Sequence, residues 1–108
     1  KQLLQYIHSR TKAKVWYHTC GSCVEYIPDL LDNGIDILNP VQISAACMDP
    51  ADLKARFGDR LTFWGGGIDA QHILPSAPPE TIREHVRRNF LITRHLGDYL
   101  ALLARLTR

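Results

Sequence analysis

One pattern occurs three times along the chain and constrains the fold more than any other feature. A short run rich in β-branched and aromatic residues is followed by a polar loop and then by a segment with helical periodicity; the runs are residues 15–17, 35–38 and 61–64. Such runs are typical of β-strands. Strands that alternate with helices at this spacing predict parallel βα units with right-handed crossovers.

Capping and breaking residues mark the helices of these units. Ser22 and Glu25 have the spacing of a capping box, which predicts that Ser22 caps a helix that ends at Gly34. Asp49 followed by Pro50 predicts the N-cap and the first turn of the next helix. Apolar residues three to four apart predict two more helices, one at the start of the chain and one from residue 82 onward.

The length of the chain sets how much of a fold these units can form. A chain of 108 residues holds one small domain, since a domain takes roughly 100–200 residues. A (β/α)8 barrel of about 250 residues uses about 31 residues per unit, so three units need about 94. We therefore predict an α/β fold in which residues 1–108 form one partial domain, about three parallel βα units of a TIM barrel with a C-terminal helix. A small open sheet with helices on its faces is the alternative.

Composition and charge exclude several classes of protein. Apolar residues make up 45% of the chain and charged residues 22%, which is typical of a globular domain rather than a disordered or membrane chain. A net charge of +2 is too small to predict a nucleic-acid or membrane partner. No stretch has the roughly 18 consecutive apolar residues of a spanning helix, and the first ten residues lack the apolar block of a signal peptide. We expect a cytoplasmic protein.

Polar side chains follow all three predicted strands. In parallel α/β folds the ligand site lies beyond the carboxyl ends of the strands. The residues concerned are His18 and Cys20 after the first strand, Asn39 and Gln42 after the second, and Asp69, Gln71 and His72 after the third. We predict that the Asn, Asp and two Gln side chains line a substrate pocket, and that His72 acts as a general acid or binds an anion. The alternative is that Asn39 and Asp69 cap their own turns and that His72 is a surface histidine.

His18 and Cys20 are the clearest candidates for metal ligands. Two residues separated by one in an extended chain project to the same side, and an imidazole nitrogen with a thiolate suits Zn²⁺. A catalytic zinc needs a third protein ligand, for which the candidates are Cys23, Cys47, Glu25 and His72. The alternative is a hydrogen-bonded histidine beside a buried cysteine.

Cys20 and Cys23 also form a C-x-x-C motif at a strand-to-helix junction. A helix N-terminus stabilises a thiolate there, so a thiol-redox site is a minor alternative. A thioredoxin-type fold needs an antiparallel hairpin and a cis-proline segment after the motif, whereas more βα units follow here.

The ordered segments HTCG, GIDILNPVQ and DPADLKARFGDRLTFWGGGIDAQH are similar to the C-terminal part of the uroporphyrinogen decarboxylase superfamily, over about residues 1–90. This superfamily contains porphyrinogen decarboxylases, which act in tetrapyrrole metabolism, and methyltransferases linked to cobalamin or coenzyme M. The resemblance implies a TIM barrel. The H-x-C pair resembles the methyltransferase branch, in which His and Cys bind a zinc ion that activates a thiol.

By this resemblance His18 and Cys20 are zinc ligands, and methylcobalamin or a corrinoid protein is the methyl donor. The branch takes its remaining Cys ligand from a Gly-rich segment nearer the C-terminus, and the atypical helical tail at residues 91–108 does not match that segment. The decarboxylase branch places its carboxylate-binding Arg and catalytic Asp in the N-terminal half of the barrel. We therefore expect a fragment that is inactive alone.

Two further interpretations remain open. One is a porphyrinogen decarboxylase. The other is a non-catalytic assembly module, because three parallel strands leave two sheet edges and an apolar face open to self-association or to a companion chain that completes the barrel.

Overall fold

Three short strands pair in parallel, in the order in which they occur along the chain. In the computed structural model, which describes residues 1–93, they are β1 (Trp16–His18), β2 (Ile37–Asn39) and β3 (Thr62–Phe63). Helix α1 (Gln2–Arg10) precedes β1, α2 (Ile27–Asn33) and α3 (Pro50–Phe57) connect the strands, and α4 (Pro79–Thr93) follows β3. The predicted α/β class with parallel strands is confirmed. The part of the predicted tail that follows Thr93 lies outside the described residues.

Strand register separates the residues of the two faces of the sheet. Tyr17, Leu38 and Phe63 are paired across the three strands, and Leu38 and Phe63 belong to the buried core. That core also contains residues of α2 and α3, including Ile27 and Leu53. Since side chains alternate along a strand, the helices of the core pack on the face that carries Leu38.

The opposite face of the sheet carries Trp16, His18, Ile37 and Asn39. Ile37 is buried but lies outside the core cluster. Trp16 is 49% exposed, and its ring centroid is 5.7 Å from that of His18. The polar ends of β1 and β2 therefore face away from the helices of the core.

The start of α2 differs from the prediction. Ser22 is not its cap: a 3-10 turn at Val24–Tyr26 comes first, Cys23 is the N-cap of that turn, and no side-chain cap hydrogen bond forms. Pro28 explains the difference, because a proline has no amide hydrogen and its ring clashes with the carbonyl four residues earlier, so the α-helix begins only at Ile27. The predicted end is confirmed, since Gly34 adopts the left-handed conformation with φ 95°.

The start of α3 is as predicted. Asp49 is the N-cap, and its side chain accepts hydrogen bonds from the backbone amides of Ala51 and Asp52. Pro50 occupies the first turn, where its missing amide hydrogen costs little. None of the helices described over residues 1–93 has the length and apolarity that crossing a membrane requires.

Candidate functional site

The carboxyl ends of the three strands are connected by a chain of hydrogen bonds through Asn39. The Asn39 Oδ1 atom lies 2.8 Å from His18 Nδ1, at the end of β1. Its Nδ2 donates to the backbone carbonyl of Trp64, just after β3, at 3.0 Å. The Asn39 carbonyl also accepts from the amide of Thr19 at 2.8 Å. A single side chain on the central strand thus links both outer strand ends.

His18 and Cys20 are held at a separation that suits two ligands of one metal ion. The Nε2 atom of His18 lies 3.6 Å from Sγ of Cys20, and both side chains are exposed. A tetrahedral zinc with Zn–N of about 2.05 Å and Zn–S of about 2.3 Å holds these two atoms roughly 3.6 Å apart. The distance between the two atoms therefore fits zinc. Within residues 1–93 no third His, Cys, Asp or Glu lies where it would complete a metal-binding group with them.

Cys23 faces the core rather than the pair. Its Sγ lies 3.8 Å from Sδ of Met48, and its backbone amide donates to the same sulfur. Burial raises the pKa of the Cys23 thiol and outweighs the smaller, opposite effect of a backbone hydrogen bond. Since a redox C-x-x-C needs accessible thiols that ionise readily, this geometry counts against the redox interpretation. Cys20 and Cys47 are exposed, and all three cysteines are free.

The loops after β1 and β2 are also joined directly. Oε1 of Gln42 accepts a hydrogen bond from the backbone amide of Gly21 at 2.8 Å. Gly21 follows the ligand candidate Cys20, so Gln42 holds the segment that carries this thiol. The predicted pocket residue therefore has a structural contact at the strand ends.

A cavity of about 400 Å³ lies between the loops after β2 and β3, lined by residues 40–44 and 65–71. Gly65 has φ 117°, and a Cβ built on it would be 3.1 Å from the backbone nitrogen of Val41. Gly66 has φ 77° and would place a Cβ 3.1 Å from Cβ of Val41. The two glycines therefore allow the third loop to lie against the second and to form one wall of the cavity.

Asp69, Gln71 and His72 form a cluster in the third loop. The Asp69 carboxylate accepts from the backbone amides of Gln71 at 2.9 Å and His72 at 3.1 Å, and its Oδ2 is 3.0 Å from His72 Nδ1. Partial burial raises the pKa of Asp69, but the hydrogen bonds from Gln71 and His72 together lower it by more. The pKa of Asp69 is therefore below its usual value. Asp69 caps its own loop, as in the alternative stated for it.

The loop after β2 contacts this cluster through Ser44, whose hydroxyl donates to Oε1 of Gln71 at 3.1 Å. The His72 side chain is 69% exposed. Asp69 and Gln71 line the cavity together with Gln42. The structure thus brings three of the four predicted pocket residues to one cavity, while Asn39 contacts His18.

Two contacts of the site involve atoms that the sequence does not mark. The Trp64 carbonyl is a backbone group, which carries no residue-specific signal, and Met48 is 25 residues from Cys23. Met48 is apolar, which predicts its burial, but the sequence does not indicate which of the three cysteines contacts it.

The candidate site consists of a His–Cys pair, an asparagine that connects the three strand ends, and a neighbouring cavity. Comparison of the chain with protein-family models, with curated proteins and with solved structures gave no match.

Proposed function

We propose that this chain is the C-terminal βα portion of a zinc-dependent methyltransferase of the uroporphyrinogen decarboxylase superfamily, which transfers a methyl group to a thiol. The observation that carries the proposal is the 3.6 Å separation of His18 Nε2 and Cys20 Sγ. This separation equals that of two ligands on a tetrahedral zinc, and the pair lies at the carboxyl ends of parallel strands, where such folds place their sites.

In this proposal, different residues of the site would bind the zinc ion and the substrate. His18 would supply a neutral imidazole nitrogen, and Cys20 a thiolate. A bound zinc would hold a substrate thiol as the thiolate at neutral pH. Gln42 holds the Cys20 segment through Gly21, and the cavity of about 400 Å³ beside Gln42 offers space for the rest of the substrate. The resemblance alone supports methylcobalamin or a corrinoid protein as donor.

The proposed fold is a three-strand sector of a (β/α)8 barrel. Two observations support it: the strands follow one another in chain order, and the core helices pack on one face. In a barrel the helices form the outer layer, and the opposite face of each strand lines the interior. Trp16, Ile37 and His18 would then be interior residues.

Zinc binding tests the proposed function. The metal-free chain is titrated with zinc against a chromophoric chelator, with and without a small thiol. We expect the chain to compete for zinc, more strongly with the thiol as an added ligand, and we expect His18→Ala and Cys20→Ser each to abolish the competition.

His72→Ala and Cys47→Ser are the matched controls, because both side chains are exposed residues of the same types and, within residues 1–93, neither forms a metal-holding group with the pair. They should bind zinc like the wild type. A wild-type chain that does not compete, or ligand variants that compete equally well, would contradict the zinc assignment.

A second role, as an assembly module, is favoured by the exposed side chain of Trp16. This tryptophan is 49% exposed on the face opposite the core helices, and β1 and β3 are the outer strands of the sheet described over residues 1–93. Unpaired edges and exposed apolar side chains favour association. In a closed barrel both would be covered by further strands.

We therefore expect the chain to self-associate in light scattering, with Trp16→Lys shifting it to the monomer. Tyr6→Lys is the control, because Tyr6 is an exposed aromatic residue, at 62%, that belongs to α1 and not to a strand of the sheet. A wild-type chain that is a stable monomer would argue against an incomplete barrel.

A further inference from the structure

We infer that Asn39 is a positioning residue that fixes the tautomer of His18, so that the Nε2 lone pair of the neutral ring is directed at Cys20. The inference deepens the proposed function. Only the zinc titration described below rests on that function; the measurement of the tautomer does not. It follows from a chain of three groups, each of which decides the orientation of the next: the Trp64 carbonyl, the Asn39 amide and the His18 ring.

This series of hydrogen bonds starts at the Trp64 carbonyl, which has one fixed role. A backbone carbonyl only accepts hydrogen bonds, so the Asn39 atom that lies 3.0 Å from the Trp64 oxygen is the amide nitrogen. The amide oxygen of Asn39 then faces His18, 2.8 Å from Nδ1. An amide oxygen also only accepts, so Nδ1 carries the hydrogen. In the neutral ring, Nε2 is left with the lone pair.

Backbone pairing between the strands holds both ends of this series of hydrogen bonds in place. The Trp64 amide donates to the Leu38 carbonyl at 2.9 Å, which continues the pairing of β3 with β2. The Asn39 carbonyl accepts from the Thr19 amide at 2.8 Å, which continues the pairing of β1 with β2. The Asn39 side chain can therefore not turn without losing a hydrogen bond to one of the outer strand ends.

The tautomer decides what His18 can do toward Cys20. With the hydrogen on Nδ1, the Nε2 lone pair lies 3.6 Å from Sγ and can accept from the thiol or share a metal with the sulfur. With the hydrogen on Nε2, an N–H would occupy that direction and neither is available. A partner of the second ring nitrogen commonly tunes a metal-bound histidine in this way, and its loss costs about 10–100-fold in metal affinity.

The tautomer can be measured without metal. Nitrogen-15 shifts of the imidazole rings are recorded on the metal-free chain at about pH 8.5, where an ordinary histidine is neutral. Free histidine in water favours the Nε2–H form, so the expected Nδ1–H form of His18 is a departure from its intrinsic preference. Asn39→Ala should shift His18 toward Nε2–H. Asn39→Asp loses the donor to the Trp64 carbonyl, but its carboxylate can still accept from Nδ1, so it should favour Nδ1–H more than Asn39→Ala does.

Gln42→Ala is the matched control, since it truncates an amide side chain of the neighbouring loop that bonds Gly21 instead of His18. It should leave the His18 tautomer unchanged. In a zinc titration, Asn39→Ala should weaken binding by about 10–100-fold, and Asn39→Asp should restore most of the affinity.

The two arms fail separately. A wild-type chain with His18 in the Nε2–H form, or an Asn39→Ala variant with an unchanged tautomer, would overturn the inference. If Asn39→Ala does not fold, the wild-type tautomer decides, and Nε2–H in the wild type overturns the inference. Absence of zinc binding together with an Nδ1–H ring that depends on Asn39 would refute the proposed function and support the role of Asn39.

Discussion

Replacement of Leu38 by alanine is expected to lower the free energy of unfolding by roughly 2–5 kcal/mol. Leu38 has no exposed surface, and it lies on the central strand between Tyr17 and Phe63. Removal of its three outer carbon atoms leaves a cavity in the layer where the sheet meets the helices. Urea denaturation followed by far-UV circular dichroism measures the loss.

Leu3→Ala is the matched control, because the same atoms are removed from a side chain that is 69% exposed. Its effect should stay within about 0.5 kcal/mol, as is usual for surface positions. Since small domains have total stabilities of about 5–15 kcal/mol, a Leu38→Ala chain that is already unfolded without urea also agrees with the expectation. Equal effects of the two substitutions would mean that the core does not lie on this face of the sheet.

Gly65→Ala is expected to destabilise the chain by about 1–3 kcal/mol, the typical cost of a residue forced into a sparsely populated backbone conformation. Two observations give this result. The φ angle of 117° is one that side chains with a Cβ rarely adopt, and the new Cβ would be 3.1 Å from the Val41 backbone nitrogen. The loop after β3 must move away from the loop after β2, which alters the wall of the cavity.

Gly67→Ala separates this local conflict from the general effect of a glycine replacement. No heavy atom lies within 4 Å of a Cβ built at Gly67. We expect a change between zero and the stabilisation of about 0.4–1 kcal/mol that follows when alanine fits the native backbone. Urea denaturation of both variants gives the comparison, and similar losses at Gly65 and Gly67 would contradict the described loop geometry.

The three strands could be predicted from residue type, but their ends could not. The strand predicted at residues 15–17 is observed at Trp16–His18, and the one predicted at residues 35–38 at Ile37–Asn39. Apolar composition marks where a strand lies, whereas its ends depend on which backbone groups find partners in the neighbouring strand. The amide of Ile37, for example, pairs with the Val15 carbonyl.

The candidate site shows the same division. The spacing of His18 and Cys20 in an extended segment predicts that they share one side, and they do lie together. The orientation of Cys23 was not predictable, because the exposed Cys20 and the buried Cys23 belong to the same short motif and only the contact with Met48 distinguishes them. Asn39 was predicted at a strand end, but its bond to a backbone carbonyl has no sequence signal.

The position of His18 at the end of an outer strand, on the face opposite the core helices, sets the direction from which the site can be completed. If His18 and Cys20 hold zinc as proposed, a further ligand that approaches the metal from this face passes the half-exposed Trp16, whose ring centroid is 5.7 Å from that of His18. Closing the coordination shell and covering the tryptophan would then be one event. A segment that supplies both contacts stabilises the folded sheet by mass action, so metal and partner segment would each strengthen the binding of the other.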